Sequence, residues 1–188
     1  MSLNVKFGVS TWLWTSPFNT DTISLFSKIS RMGYDVVEIP LEDPSLVDVK
    51  AVKAALKEFG LKAEICGAFG PSRDLTHDDV AYHQTSFDYI EASMEIGYEL
   101  GASIFAGPMY SAVGKARLVS AEQKKKEWDR AATNLYKVAE MAAQRGLQLA
   151  IEPLNRFESD LINSAEDVVA LVKDINHPAA KIMLDGFH

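Results

Sequence analysis

A single cysteine, Cys66, in a chain of 188 residues excludes an internal disulfide framework and leaves no CxxC or mixed Cys/His metal signature. Histidine is scarce too, at four residues, which weighs against a site built on several imidazole ligands. Basic side chains are in deficit, 19 against 26 acidic ones, and the net charge of −7 repels phosphate backbones and anionic lipid heads. Nucleic acid and membrane surfaces are therefore not the expected partners. No apolar run approaches the length of a membrane span, and the opening MSLNVKFGVSTWLW lacks the basic stretch and apolar core of a signal peptide. The cytoplasm is the expected compartment, and Met1-Ser2-Leu3 could be an expression remnant.

What is present is enough apolar material, 47% of the residues, for one substantial core, so residues 1–188 are expected to form one domain. A loose unit recurs along the chain: a helical stretch, a glycine, then a short apolar strand with a polar or small end. The strands read YDVVEI after Gly33, LKAEIC after Gly60, ASIFAG after Gly101 and LQLAIE after Gly146. FGVSTW opens the series, and KIMLD closes it after Pro178. Glycine suits the left-handed position past a helix end, and near-continuous apolar strands suit a parallel sheet covered on both faces.

The intervening helices carry the matching period. Val49, Val52, Leu56 and Phe59 line one face of the second, and Phe87, Ile90, Met94 and Leu100 one face of the third. Ser120-Ala121-Glu122-Gln123 and Ser164-Ala165-Glu166-Asp167 have the pattern of capping boxes, and His177-Pro178 is expected to stop the fifth helix. The resulting alternation of six strands and five helices leaves an open doubly wound sheet or a closed eight-fold barrel. Both place ligands at the carboxyl ends of the strands.

That rule selects Trp12, Trp14, Glu38, Cys66, Gly107, Glu152, Asp185 and His188. Glu152 follows LQLAI directly and Asp185 follows KIML, which sets two carboxylates on neighbouring strands about 5 Å apart. Like charges so placed share a proton or hold a cation, and hard oxygens suit Mg²⁺, Mn²⁺ or a similar divalent metal. Polar strand ends without a metal are the bland alternative.

The segments Glu152-Pro153-Leu154-Asn155-Arg156-Phe157-Glu158 and Leu184-Asp185-Gly186-Phe187-His188 resemble the paired motifs of the ketose 3-epimerase family, which includes tagatose and allulose (psicose) 3-epimerases. Its relatives include hydroxypyruvate isomerases, inosose dehydratases, xylose isomerases and the apurinic endonucleases. The resemblance implies an α/β fold, a (β/α)8 TIM barrel of which this chain holds about the first six strands. It implies that Glu152 and Asp185 ligate a divalent metal, Mn²⁺ first with Co²⁺ or Mg²⁺ as alternatives, while Glu158 and His188 contact sugar oxygens near C1 and C2. Glu152 would also move the C3 proton.

A further histidine and a further glutamate on the seventh and eighth strands complete the ligand set in that family. A complete barrel typically takes about 250 residues, so the chain reads as a fragment after strand six. The resemblance further implies a homo-oligomer, dimer or tetramer, acting on a small-molecule sugar. Aldose–ketose or hydroxypyruvate-type isomerisation, and a non-catalytic sugar-binding homologue, are the competing readings.

Secondary candidates follow from the same strand ends. Trp12, Trp14 and Phe18 cluster after the first strand, and Trp14 is the one assigned to substrate. Cys66 lines the pocket by resemblance, with a buried structural thiol as its alternative, and Glu38 would bind a hydroxyl or orient a neighbour. His77 and His83 read as solvated, and Lys124-Lys125-Lys126 as an exposed face with Glu122 and Glu127. Gly107 to Lys115 superficially resembles a phosphate loop, yet six residues separate its glycines and Ala116 replaces the Ser or Thr that holds magnesium. It is expected instead to wall the pocket, with Met109 and Tyr110 facing the substrate.

Overall fold

The structure, a computed structural model, describes residues 5–188; the opening Met1-Ser2-Leu3 lies outside them. Strands and helices alternate as β1 (Gly8–Ser10), α1 (Phe26–Arg31), β2 (Val36–Leu41), α2 (Val49–Phe59), β3 (Lys62–Gly67), α3 (Val80–Leu100), β4 (Ile104–Gly107), α4 (Ala121–Gln144), β5 (Gln148–Ile151), α5 (Ala165–Ile175) and β6 (Ala180–Ile182). The six strands form one sheet in the order β1-β2-β3-β4-β5-β6, every pair parallel. Sequential parallel order is the mark of a barrel wall, and the sheet supplies six strands of the TIM-barrel architecture. An open doubly wound sheet would reverse its order at a switch point, and this one does not.

Helix limits follow from local chemistry. Ser164 accepts from Asp167 N–H while the Asp167 carboxylate accepts from the Ser164 backbone, the full reciprocal box expected from the sequence. At α4 the Ser120 hydroxyl accepts from Gln123 N–H. Gly60 and Gly101 end α2 and α3 in the left-handed conformation, whereas Asn176, at φ 50°, does this for α5 one residue before the expected His177-Pro178 stop.

The strands sort their side chains by parity. Val37, Ile39, Ile65, Phe105, Leu149 and Ile151 pack under the helices in the main core. Cys66, Ala106 and Ala150, registered side by side, form a second cluster on the opposite face with Ile104 and Met183. Small residues there keep the concave face from filling. Residues two apart share a face, so Glu152 follows Ala150 into that concavity.

Gly67 closes β3 where two rings approach. A Cβ there would lie 2.6 Å from Phe69 Cε2 and 2.9 Å from Phe105 Cζ, and both rings are buried. Gly67→Ala is therefore expected to lower unfolding free energy by about 1–3 kcal/mol through overpacking. Urea denaturation checks this, and an unchanged midpoint would show that the rings yield freely.

Candidate active site

A cavity of about 780 Å³ opens at the carboxyl ends of the strands, a volume in the range of small-molecule sites. Its polar lining comes from Ser10, Glu38, Glu152, Glu158, Asp185 and His188. Four of these are carboxylates, drawn from β2 and from the segments after β5 and β6.

Glu152 is the innermost. It leaves β5 still bonded to the sheet, its N–H donating to Gly107 O at 3.3 Å, and it is 9% exposed. Burial, with Asp185, Glu38 and Glu158 adding their negative charge, pushes its carboxyl up to about 7. Asp185 arrives differently. It stands three residues past the end of β6, in a turn fastened by Phe187 N–H donating to Oδ1 at 2.8 Å and His188 N–H donating to the Asp185 carbonyl at 3.2 Å. That turn swings His188 back over the site, so that ligand-type atoms of Glu152, Asp185 and His188 all lie within 4.8 Å of one another. The His188 ring is 12% exposed, with Nε2 3.5 Å from Glu152 Oε1 and Nδ1 3.4 Å from Glu158 Oε2.

Glu158 is held by its own loop. Asn155 Nδ2 donates to its Oε2 at 2.8 Å, and its carbonyl accepts from Gly114 N–H at 2.7 Å, tying the β5–α5 loop to the β4–α4 loop. Cys66 lines the cavity as expected, and burial, with Glu38 beside it, pushes its thiol well above the usual range, which disfavours the thiolate.

Trp14 does not line this cavity. It packs half-buried against the main core, with Lys28 Nζ 5.0 Å over its ring, because the 3-10 turn Thr11–Leu13 rotates it away. Trp12 takes the place on the rim, its Nε1 donating to Glu42 Oε1 at 2.6 Å, and Leu13 lies beside it. Met109 and Tyr110 are likewise displaced from their expected place: both are fully buried, and Tyr110 OH donates to Ile162 O at 3.4 Å. The cavity wall from that loop is Gly107, Pro108 and Val113 instead. Phe69 and Leu154 also line the cavity, and nothing in the local pattern separates them from core positions. His77 and His83 are half-buried rather than solvated, the His83 Nε2 lying 2.8 Å from the His77 carbonyl.

The β4–α4 loop owes its position to buried charge. Lys115 Nζ lies 2.8 Å from Asp74, 2.7 Å from Thr76 Oγ1 and 3.4 Å from Glu127, while Arg117 pairs with Glu127 and Asp160. Glu127 thus belongs to the interior, not to the exposed lysine face, where Lys125 pairs with Asp129 and Lys126 with Glu122. No described helix is long and apolar enough to cross a membrane.

Comparison with known proteins agrees with this geometry. The ketose 3-epimerase of Arthrobacter globiformis is 30% identical over 185 residues, 98% of this chain and 63% of the relative. The D-psicose 3-epimerase of Ruminiclostridium cellulolyticum is 28% identical over 98% of this chain and 64% of its own length. A crystal structure of D-allulose 3-epimerase from Methylomonas sp. superposes with a TM-score of 0.92 at 25% identity, over 98% of this chain and 64% of that one. The chain thus spans less than two thirds of the length of each of these relatives. The model of the xylose isomerase-like TIM barrel family matches residues 26–188. With the sheet order, the strand-end carboxylates and this match in agreement, the chain belongs to the xylose isomerase-like TIM barrel family.

Proposed function

We propose that this chain forms the first five strand–helix units and the sixth strand of a metal-dependent ketose 3-epimerase acting on a free sugar. The observation that carries the reading is the convergence of Glu152 and Asp185, with His188, at the carboxyl end of the sheet, in a chain whose relatives are ketose 3-epimerases. The donor set fits a hard divalent cation, Mn²⁺ before Co²⁺ or Mg²⁺. Carboxylate oxygens are its preferred ligands, and the crowding that pushes Glu152 up to about 7 is what a cation relieves. Glu152 and Asp185 would hold it. A cation held there would supply Lewis-acid polarisation of a ketose carbonyl and would offset negative charge developing on the sugar oxygens.

The chain's own residues supply the rest. Glu152, buried in the cavity lining, is the group placed to take the C3 proton; an inverted product then requires a second acid on the opposite face. Glu158 and His188 hold oxygens at the C1–C2 end. Trp12, Phe69, Val113 and Leu154 give the cavity its apolar lining, against which the carbon face of a sugar would pack.

Isotope wash-in tests this. Full-length protein incubated with Mn²⁺ or Co²⁺ and fructose in D₂O is expected to place deuterium at C3. Deuterium confined to C1 would assign aldose–ketose isomerisation instead. Absence of exchange at either carbon overturns both and leaves a sugar-binding protein.

A further inference from the structure

Asn155, between Glu152 and Glu158, has its amide orientation fixed by the backbone. Phe157 N–H donates to Asn155 Oδ1 at 3.0 Å, which turns Nδ2 the other way, 2.8 Å from Glu158 Oε2 and 3.0 Å from His188 Nδ1. The backbone N–H of Asn155 donates to the same His188 Nδ1 at 3.1 Å. Two N–H groups converge on one ring nitrogen, so that nitrogen holds a lone pair; a proton there would set N–H against N–H. In a neutral imidazole the hydrogen then resides on Nε2. Nε2 is the nitrogen aimed at Glu152, 3.5 Å from Oε1. Glu158 Oε2, 3.4 Å from Nδ1, sets acceptor beside acceptor, and Asn155 Nδ2 spans the two and offsets their repulsion.

We propose that Asn155 is a positioning residue that locks His188 as the Nε2–H tautomer, so that the ring presents a hydrogen-bond donor to the site. His188 then leaves cation binding to the two carboxylates, although its atoms lie within 4.8 Å of theirs. That the donor meets a substrate oxygen rests on the proposed epimerase reading; the tautomer does not. The lock runs from a backbone amide through one side chain, and it needs neither metal nor sugar to be in place.

Long-range ¹H–¹⁵N correlation on ¹⁵N-histidine-labelled protein reads the tautomer directly. His188→Gln assigns the ring among the protein's histidines. The wild type is expected to show an unprotonated Nδ1 and a protonated Nε2. Asn155→Asp replaces the amide donor by a second acceptor beside Glu158 and is expected to draw the proton to Nδ1. Asn155→Ala keeps the backbone donor but leaves Glu158 Oε2 unopposed beside Nδ1, so it is expected to shift part of the population to Nδ1–H. A protonated Nδ1 in the wild type, or no change of tautomer in Asn155→Asp, overturns the lock. Active enzyme with Nδ1–H rejects only this proposal, while inactive protein with Nε2–H rejects only the epimerase.

Discussion

In the full-length protein, if the proposed epimerase reading holds, Glu152→Gln is expected to lower turnover by roughly 10²–10⁴-fold, the span of a general base, and at the same time to make the metal-free protein more stable at neutral and alkaline pH. The second effect follows from the upward displacement of the carboxyl to about 7 in the fold, against an ordinary value near 4.5. A carboxyl raised in the folded state binds its proton more tightly there than in the unfolded chain. Its contribution to stability is therefore intact below the unfolded value and is lost as pH rises from about 4.5 to about 7, after which the penalty stays constant. That penalty is about 3 kcal/mol, and a glutamine, which never ionises, escapes it. For a chain of this size the gain is on the order of 10 °C in Tm.

Thermal melts in chelator at about pH 4 and pH 8 separate the cases, since the two proteins should melt alike at the lower pH and apart at the higher. Manganese is expected to raise the wild-type melting point and to leave the variant nearly unchanged. Equal melting points at the higher pH would falsify the view that this site is crowded with negative charge.

The second large effect lies outside the cavity. Lys115→Met is expected to destabilise the protein by about 3–5 kcal/mol, because it strips a buried carboxylate of its partner rather than replacing the whole cluster. Asp74 is 4% exposed and Glu127 3%, while Lys115 itself is 11% exposed. Burial alone would push Asp74 up, but hydrogen bonds from Lys115 and Thr76 outweigh it and hold the carboxyl below its usual value. Its stabilising share is therefore present above the unfolded value and fades as pH falls through the lower folded one. Without Lys115 the buried carboxyl takes up a proton readily, so the gap between variant and wild type should be widest near neutrality and narrow in acid. Urea titrations at about pH 7.5 and pH 4 measure both, and a difference below about 1 kcal/mol at the higher pH would mean that water reaches Asp74.

The two predictions mark the boundary of what local sequence discloses. The strands were legible because each is an apolar run, four of them introduced by a glycine; their sequential order was not, since the alternation allowed a doubly wound sheet as well as a barrel, and only the resemblance of the two carboxylate motifs pointed to the barrel. Glu152 was legible with its strand: it terminates LQLAI, and its parity with Ala150 points it into the concavity. Asp185 was found by its strand although it lies beyond it. β6 ends at Ile182, and the turn that returns Asp185 and His188 to the site is set by hydrogen bonds within residues 185–188.

Positions fixed by distant partners were not legible. The choice of Trp12 over Trp14 for the rim depends on Glu42, thirty residues away. The burial of Tyr110 depends on Ile162, fifty-two residues away. Glu127, placed among lysines and an exposed aspartate, takes its role from Lys115 and Arg117, and periodicity along α4 carries no trace of that. Asn155 was visible only as a letter in a motif; its chemistry needed the orientation of one amide.

The stitching of residues 107–120 to both flanking loops also bears on how a molecule enters and leaves. Val113 N–H donates to Phe69 O at 2.8 Å on one side, and Gly114 N–H to Glu158 O at 2.7 Å on the other, with the buried charges beneath. A segment anchored this way is held against both of its neighbours and against the sheet. Phe187 is an exposed ring that lines the cavity away from that wall, so ligand exchange is expected to respond to Phe187→Ala more than to substitutions in the anchored segment.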